Sequence, residues 1–178
     1  MGEKKDALPR QAAEAMRGQF GSTLSMLAAF VRLCPREVWE GCYFGFPYPV
    51  WYQVFHAAFF VDFWFRDGYN GGEYRCMTFD GRIPPEFEHE VDPGLTVSRE
   101  DMLTYLDKLK TKTELFFDNL HDGMLGKRIA MDAEQYTYAD VVLCQTRHVM
   151  YNVGYLNGIL RSLGLEESDW YAYNEKES

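Results

Sequence analysis

Apolar positions recur at three- and four-residue steps in long stretches of the chain, and the breaks between them fall at proline, glycine and capping residues. The segment from Arg10 to Leu33 follows Pro9, is rich in Ala, Met and Leu, and stops before Pro35, which predicts a long first helix. Pro35 to Gly41 suits a short helical turn, and Gly45-Phe46-Pro47-Tyr48-Pro49 holds the following chain extended. From Val50 to Arg66 the run lacks strict alternation and exceeds the length of an ordinary strand, so it predicts a largely buried helix ended by Gly68. Gly71-Gly72, Gly81, Pro84-Pro85 and Pro93-Gly94 then interrupt any regular element as far as Thr96. This segment reads first as an ordered surface crossover and second as a lid or partner surface. Ser98-Arg99-Glu100-Asp101 has capping-box spacing and opens a helix with Leu103, Leu106, Leu109 or Lys110, Thr113, Phe116 or Phe117 and Leu120 on its repeat, closing at His121-Asp122-Gly123. Thr137-Tyr138-Ala139-Asp140 offers another capped start for a helix running through Leu163 to the stop at Gly164. The acidic, aromatic tail after Leu165 either packs across the helices or frays.

Four long helices with one long connection predict an all-α four-helix bundle, with a crossover between its second and third helices. The chain of 178 residues suits a single domain over 1–178 that buries enough surface to fold without a metal or disulfide staple. A hydrophobic fraction of 47% with 25% charged residues is globular and excludes wholesale disorder. The formal net charge of -9 repels phosphate backbones, so nucleic acid is not an expected partner. Lys108, Lys110 and Lys112 are balanced by Asp107 and Glu114 and read as a solvated helix face. Pro47, Pro49, Gln53, His56 and Asp62 interrupt the most apolar stretch, Phe44 to Phe65, so no membrane span is expected. The N-terminus lacks the apolar core of a signal peptide, and Asp6 breaks the myristoylation pattern. With Cys34, Cys42, Cys76 and Cys144 scattered and no C-x-x-C pair, the expected setting is cytoplasmic, with reduced thiols.

Candidate chemistry concentrates on two of the helices. His148 and Asn152 are four residues apart, about 40° and one turn from each other, so both can address one point. Cys144 lies one turn earlier, where the simplest expectation is a small buried apolar residue rather than a ligand. His56 sits among Phe55, Ala57, Ala58, Phe59 and Phe60 in the apolar helix, whereas His89 and His121 fall in polar contexts and are expected to face solvent. Asp62 is about 120° round from His56 and is not expected to share an ion with it. Phe59, Phe60, Phe63, Trp64 and Phe65 read as core. No catalytic serine triad, phosphate loop, dinucleotide turn or H-E-x-x-H helix is present, so no catalytic residue is assigned.

At these residues the chain resembles the DinB-like (YfiT-like) superfamily of helical-bundle proteins. The resemblance spans nearly the whole chain and rests on the proline-led Trp51-Tyr52-Gln53-Val54-Phe55-His56-Ala57-Ala58-Phe59-Phe60-Val61-Asp62-Phe63, on Leu95-Thr96-Val97-Ser98-Arg99-Glu100, and on the segment from Arg147 to Asn157. It implies a divalent metal such as zinc or nickel, held by one histidine of the second helix and two in H-x-x-x-H on the fourth. It further implies a homodimer, and a thiol-dependent S-transferase, isomerase or hydrolase reaction on a small molecule. Carried over, His56 matches the second-helix ligand and His148 the first of the fourth-helix pair, while Asn152 stands where the second histidine belongs. An amide oxygen is a poor donor for zinc or nickel. The site is therefore a weakened one completed by water, Asn152 or a nearby group, or one that recruits Cys144, or one that has lost its metal. The alternative to the enzyme is a noncatalytic, metal-free homodimeric bundle that binds a small molecule or serves a structural role. In that case Asn152 is expected to bond across the helices and replace the metal as their clamp.

Overall fold

The computed structural model describes residues 10–65, 82–84, 86–87, 92, 94–129 and 135–172, and among them it is all-helical, with no strand. The helices are α1 (Gln11–Leu33), α2 (Arg36–Trp39), α3 (Val50–Trp64), α4 (Arg99–Asn119) and α5 (Tyr138–Ser162), with one 3-10 turn at Asp122–Met124. Their ends follow local chemistry. Pro35 and Pro49 stand immediately before α2 and α3, where a missing N–H costs nothing. Ser98 Oγ accepts from Asp101 N at 3.0 Å at the start of α4, although Asp101 takes the Ser98 hydroxyl instead of completing a capping box. Thr137 and Asp140 do complete one at α5. At the other end of α5, Gly164 takes φ +68, and Leu165 N and Gly164 N bond back to Leu160 O and Arg161 O, the two bonds of a Schellman stop.

Two ends differ from the sequence reading. The third long helix stops at Asn119, and the His121-Asp122-Gly123 region turns into the 3-10 segment, with the Asp122 carboxylate accepting from Ala13 N at 2.9 Å. Helix α3 stops at Trp64, capped by Phe65 N on Val61 O. Most of the 68–96 excursion lies outside the described residues, as do Cys76 and His89.

Helix directions follow from the ends that meet. Arg10, before α1, donates to Phe117 O and Asp118 O at the end of α4, and Arg99 at the start of α4 donates to Cys34 O just past α1. These two helices are therefore antiparallel. Phe65, at the end of α3, packs on Phe20, Phe116 and Phe117, so α3 runs in the same direction as α4. Helix α5 starts with Tyr138 against Phe116 and carries Tyr155 up to Tyr43 O near the start of α3, opposing both. Helices α1 and α3 each pack against both α4 and α5 around a core that includes Phe20, Leu27, Phe30, Tyr52, Phe55, Leu109, Leu156 and Ile159. The tail is tied to α5 at Glu167 and Ser168. Asn157 and Ser168 exchange Nδ2 to O and N to Oδ1 bonds there, while Trp170 stays exposed.

Several side chains depart from expectation in ways that matter. Lys112 is buried beneath the α3–α4 contact instead of lying on a solvated face with Lys108 and Lys110. Its Nζ lies 2.6 Å from both Asp62 Oδ1 and Asp62 O, and Tyr105 donates to Asp62 Oδ2 at 3.0 Å. Asp62 O belongs to the last turn of α3, whose carbonyls have no partner within the helix, so the ammonium caps α3 while neutralising its carboxylate. His121 is half-buried rather than exposed, and of the aromatic stretch only Phe65 is fully in the core, with Phe59, Phe60, Phe63 and Trp64 half-buried.

The Asp62–Lys112 pair has side chains only 1% and 6% exposed, so breaking it from one side strands a buried charge. Lys112→Ala is expected to cost about 3 to 5 kcal/mol in urea unfolding, and joint replacement, Asp62→Leu with Lys112→Met, much less. Similar losses for the single and the joint replacement would contradict the pairing.

Candidate metal centre

Helix α3 is buried on almost every side over its first half, where α4, α5 and α2 pack against it and Tyr48 and Phe87 cover Tyr52 and His56. Polar side chains there have protein neighbours in place of water. His56 and His148, both half-buried, meet across the α3–α5 seam with their Nε2 atoms 3.1 Å apart. One ring donates and the other accepts, so a single proton lies between them. Burial first, and then the His56 ring, push the His148 pKa down to about 4. Near neutral pH, His148 is therefore an uncharged imidazole, the form that can ligate a metal.

The surroundings of the pair are aromatic. The Phe87 ring stacks on His56 with centroids 4.0 Å apart and planes 23° apart, and Phe60 meets both imidazoles edge-on. Phe87 also packs against Phe46, Tyr48 and Tyr52. Its segment is tied down by Ile83, which is buried in the core, and by the Tyr52 hydroxyl, 2.7 Å from Pro84 O and 2.8 Å from Glu86 O. Burial, Tyr48 and Glu86 raise the Tyr52 pKa to about 12, so this hydroxyl keeps its proton and donates it. Farther out, Phe44 has φ 56, a left-handed value unusual for a bulky residue, and stays 60% exposed while meeting Tyr155 edge-on.

Asn152 is buried one turn along α5, and its Nδ2 donates to His148 O at 2.9 Å. The expected bond across the helices is thus replaced by one within α5. The imidazole pair joins the helices, and the amide holds the backbone that carries His148. Cys144 does not face the seam. It is exposed, with the Arg147 guanidinium 3.9 Å from its sulfur, because its place on α5 falls outside the stripe that contacts the core. Asp62 is engaged with Lys112 and Tyr105 on the α4 side of α3. Among the described residues, no set of three or more His, Cys, Asp or Glu side chains could hold a metal ion, and no helix is long and apolar enough to cross a membrane.

Sequence reasoning missed two further buried polar residues on these helices. Gln53 and Gln145 are 2% and 3% exposed, and Gln53 Nε2 and Gln145 Oε1 are buried with no hydrogen-bond partner. A signal was available: Gln53-x-x-His56 and Gln145-x-x-His148 repeat one spacing on two helices. No protein-family model matches this chain, and no curated protein matches it significantly.

Because His148 has a folded pKa near 4 against an ordinary value of 6.5, the unfolded chain binds a proton between these values that the folded chain refuses. Stability is therefore expected to fall as pH drops from about 6.5 toward about 4, and to lose no more from this group below that window. Urea midpoints measured across this range should show the slope in the native protein and a reduced slope in His148→Leu. Equal slopes would remove His148 as the cause.

Proposed function

We propose that the chain is a DinB-like four-helix bundle in which α3 and α4 are joined by a long crossover, and that it binds a divalent metal between His56 and His148. In this reading it is a metal-dependent enzyme of the thiol S-transferase or hydrolase type, acting on a small molecule. The observation that carries the proposal is the convergence of the two Nε2 atoms at 3.1 Å from opposed helices. Two nitrogen ligands of one ion stand about 2.9 Å apart in cis octahedral positions and about 3.4 Å apart in tetrahedral ones, for ligand bonds near 2.05 Å. The observed spacing lies between, so the pair fits an ion without moving either helix far. The shared direction of α3 and α4 supports the crossover, because the connecting chain must travel back along the helices.

His56 and His148 would hold the ion through Nε2, and Asn152 would be a poor third donor, its amide being engaged with His148 O. The metal would supply Lewis-acid activation of a water or thiol. The aromatic rings of Phe60 and Phe87 exclude bulk water beside the imidazoles, and Asn152 fixes the segment of α5 that carries His148.

One observation favours a second reading. The imidazoles already satisfy each other through one N–H to N bond, and Asn152 is engaged with its own helix, so the seam closes without a metal. The chain would then be a noncatalytic homodimeric bundle with a small-molecule or structural role.

Elemental mass spectrometry on protein purified without chelator separates the two. The enzyme reading expects near-stoichiometric zinc or nickel in the native protein, none in His56→Ala, and tighter retention in Asn152→His. Added metal at 100 times its Kd should stabilise the native fold by about 2.7 kcal/mol. Metal bound only by Asn152→His would establish the second reading.

A further inference from the structure

Tyr52 and His56 are four residues apart on α3, so they stand one turn apart on one face, and the 82–87 segment touches both. Tyr52 is fully buried and has a single hydroxyl proton, shared between Pro84 O at 2.7 Å and Glu86 O at 2.8 Å. The next residue is Phe87, whose ring stacks on the face of His56 with centroids 4.0 Å apart. Phe87 also meets the Tyr52 ring edge-on at 5.4 Å, so the tyrosine holds this segment both by its backbone and by its aromatic side chain. The described residues of the segment form no helix or strand, and side-chain anchors therefore set their place: Ile83 in the core, the Tyr52 hydroxyl and the Phe87 ring. An imidazole with one ring stacked on its face and another, Phe60, edge-on at 5.0 Å cannot turn about its side-chain torsions without losing these contacts. Its Nε2 is thereby kept directed at His148.

We propose that Tyr52 is a positioning residue for the imidazole pair: by gripping the Pro84 and Glu86 carbonyls it keeps Phe87 against His56, and so keeps His56 Nε2 aimed at His148. Tyr52 and His56 then act as one unit of α3, linked through a segment about thirty positions later in the chain. The contacts from Tyr52 through Phe87 to His56 exist without a metal, and only their consequence for metal affinity rests on the reading of the pair as a metal centre. Without the hydroxyl, both carbonyls lose their anchor, Phe87 leaves His56, and the imidazole regains rotational freedom. An ion binding between the two rings must then order His56 first, which weakens binding by about three- to tenfold, the cost of immobilising one side chain.

The test compares chelator-treated native protein with Tyr52→Phe, Phe87→Leu and Tyr48→Phe, reading the ring proton signals of His56 in 13C-labelled protein, assigned by their loss in His56→Ala. The stacked Phe87 ring is expected to shift these signals upfield in the native protein, and Phe87→Leu defines the position without that ring. Tyr52→Phe should move most of the way to the Phe87→Leu position, whereas Tyr48→Phe, which removes a hydroxyl from a neighbouring ring of the same cluster, should stay native-like. Zinc titrated into the same samples should bind about three- to tenfold more weakly to Tyr52→Phe than to the native protein. A hydroxyl with only a structural role would lower the Tm and leave the His56 signals in place. Native His56 signals in Tyr52→Phe, an equal displacement in Tyr48→Phe, or native zinc affinity in Tyr52→Phe would overturn the proposal. Absence of zinc binding by the native protein would sink the enzyme reading instead, and the ring signals of the metal-free samples would still decide the role of Tyr52.

Discussion

Helix α3 has almost no solvent face along its first half, and this constraint organises most of the molecule. Its polar side chains have to be satisfied by neighbouring helices or left unsatisfied at a cost. Asp62 turns toward α4 and is met by Lys112 and Tyr105. His56 turns toward α5 and is met by His148. Gln53 has no partner for its Nε2. The first arrangement locks α3 to α4, the second links α3 to α5, and the third leaves a buried donor unsatisfied. One buried helix therefore carries a structural clamp and a candidate site on different sides, about 120° apart.

What was legible in the sequence is what short-range chemistry decides. Pro35, Pro49, Ser98, Thr137 and Gly164 act on backbone groups within a few residues, and each stands at or beside a helix end as read. The burial of Lys112 was not legible, because it depends on a carboxylate and a carbonyl fifty positions earlier in the chain. Near Lys108 and Lys110 its charge looked like solvation, although its position continues the stripe of Met102, Tyr105 and Leu109. Cys144 failed in the other direction: its residue type argued for burial, and the helix rotates it outward.

The candidate site was partly readable. Spacing alone put His148 and Asn152 on one face of a helix, and the family resemblance paired them with His56. The resemblance does not tell how the seam accommodates asparagine in the third position. The amide turns to its own backbone, and the imidazoles bond to each other. A neutral His148 serves both arrangements, since its ring nitrogen can share one N–H···N hydrogen bond with His56 or offer a lone pair to an ion. The same desolvation thus prepares the ring for coordination and makes the metal-free pair self-consistent.

The imidazole pair joins positions 92 residues apart, and α5 supplies one wall of the seam from the far end of the chain. Contacts at such separation form only after the intervening chain has been ordered, so this cleft is complete only when the last long helix docks. If α5 lifts away locally, the imidazole pair comes apart with it, and anything bound across the seam would hold the helix down.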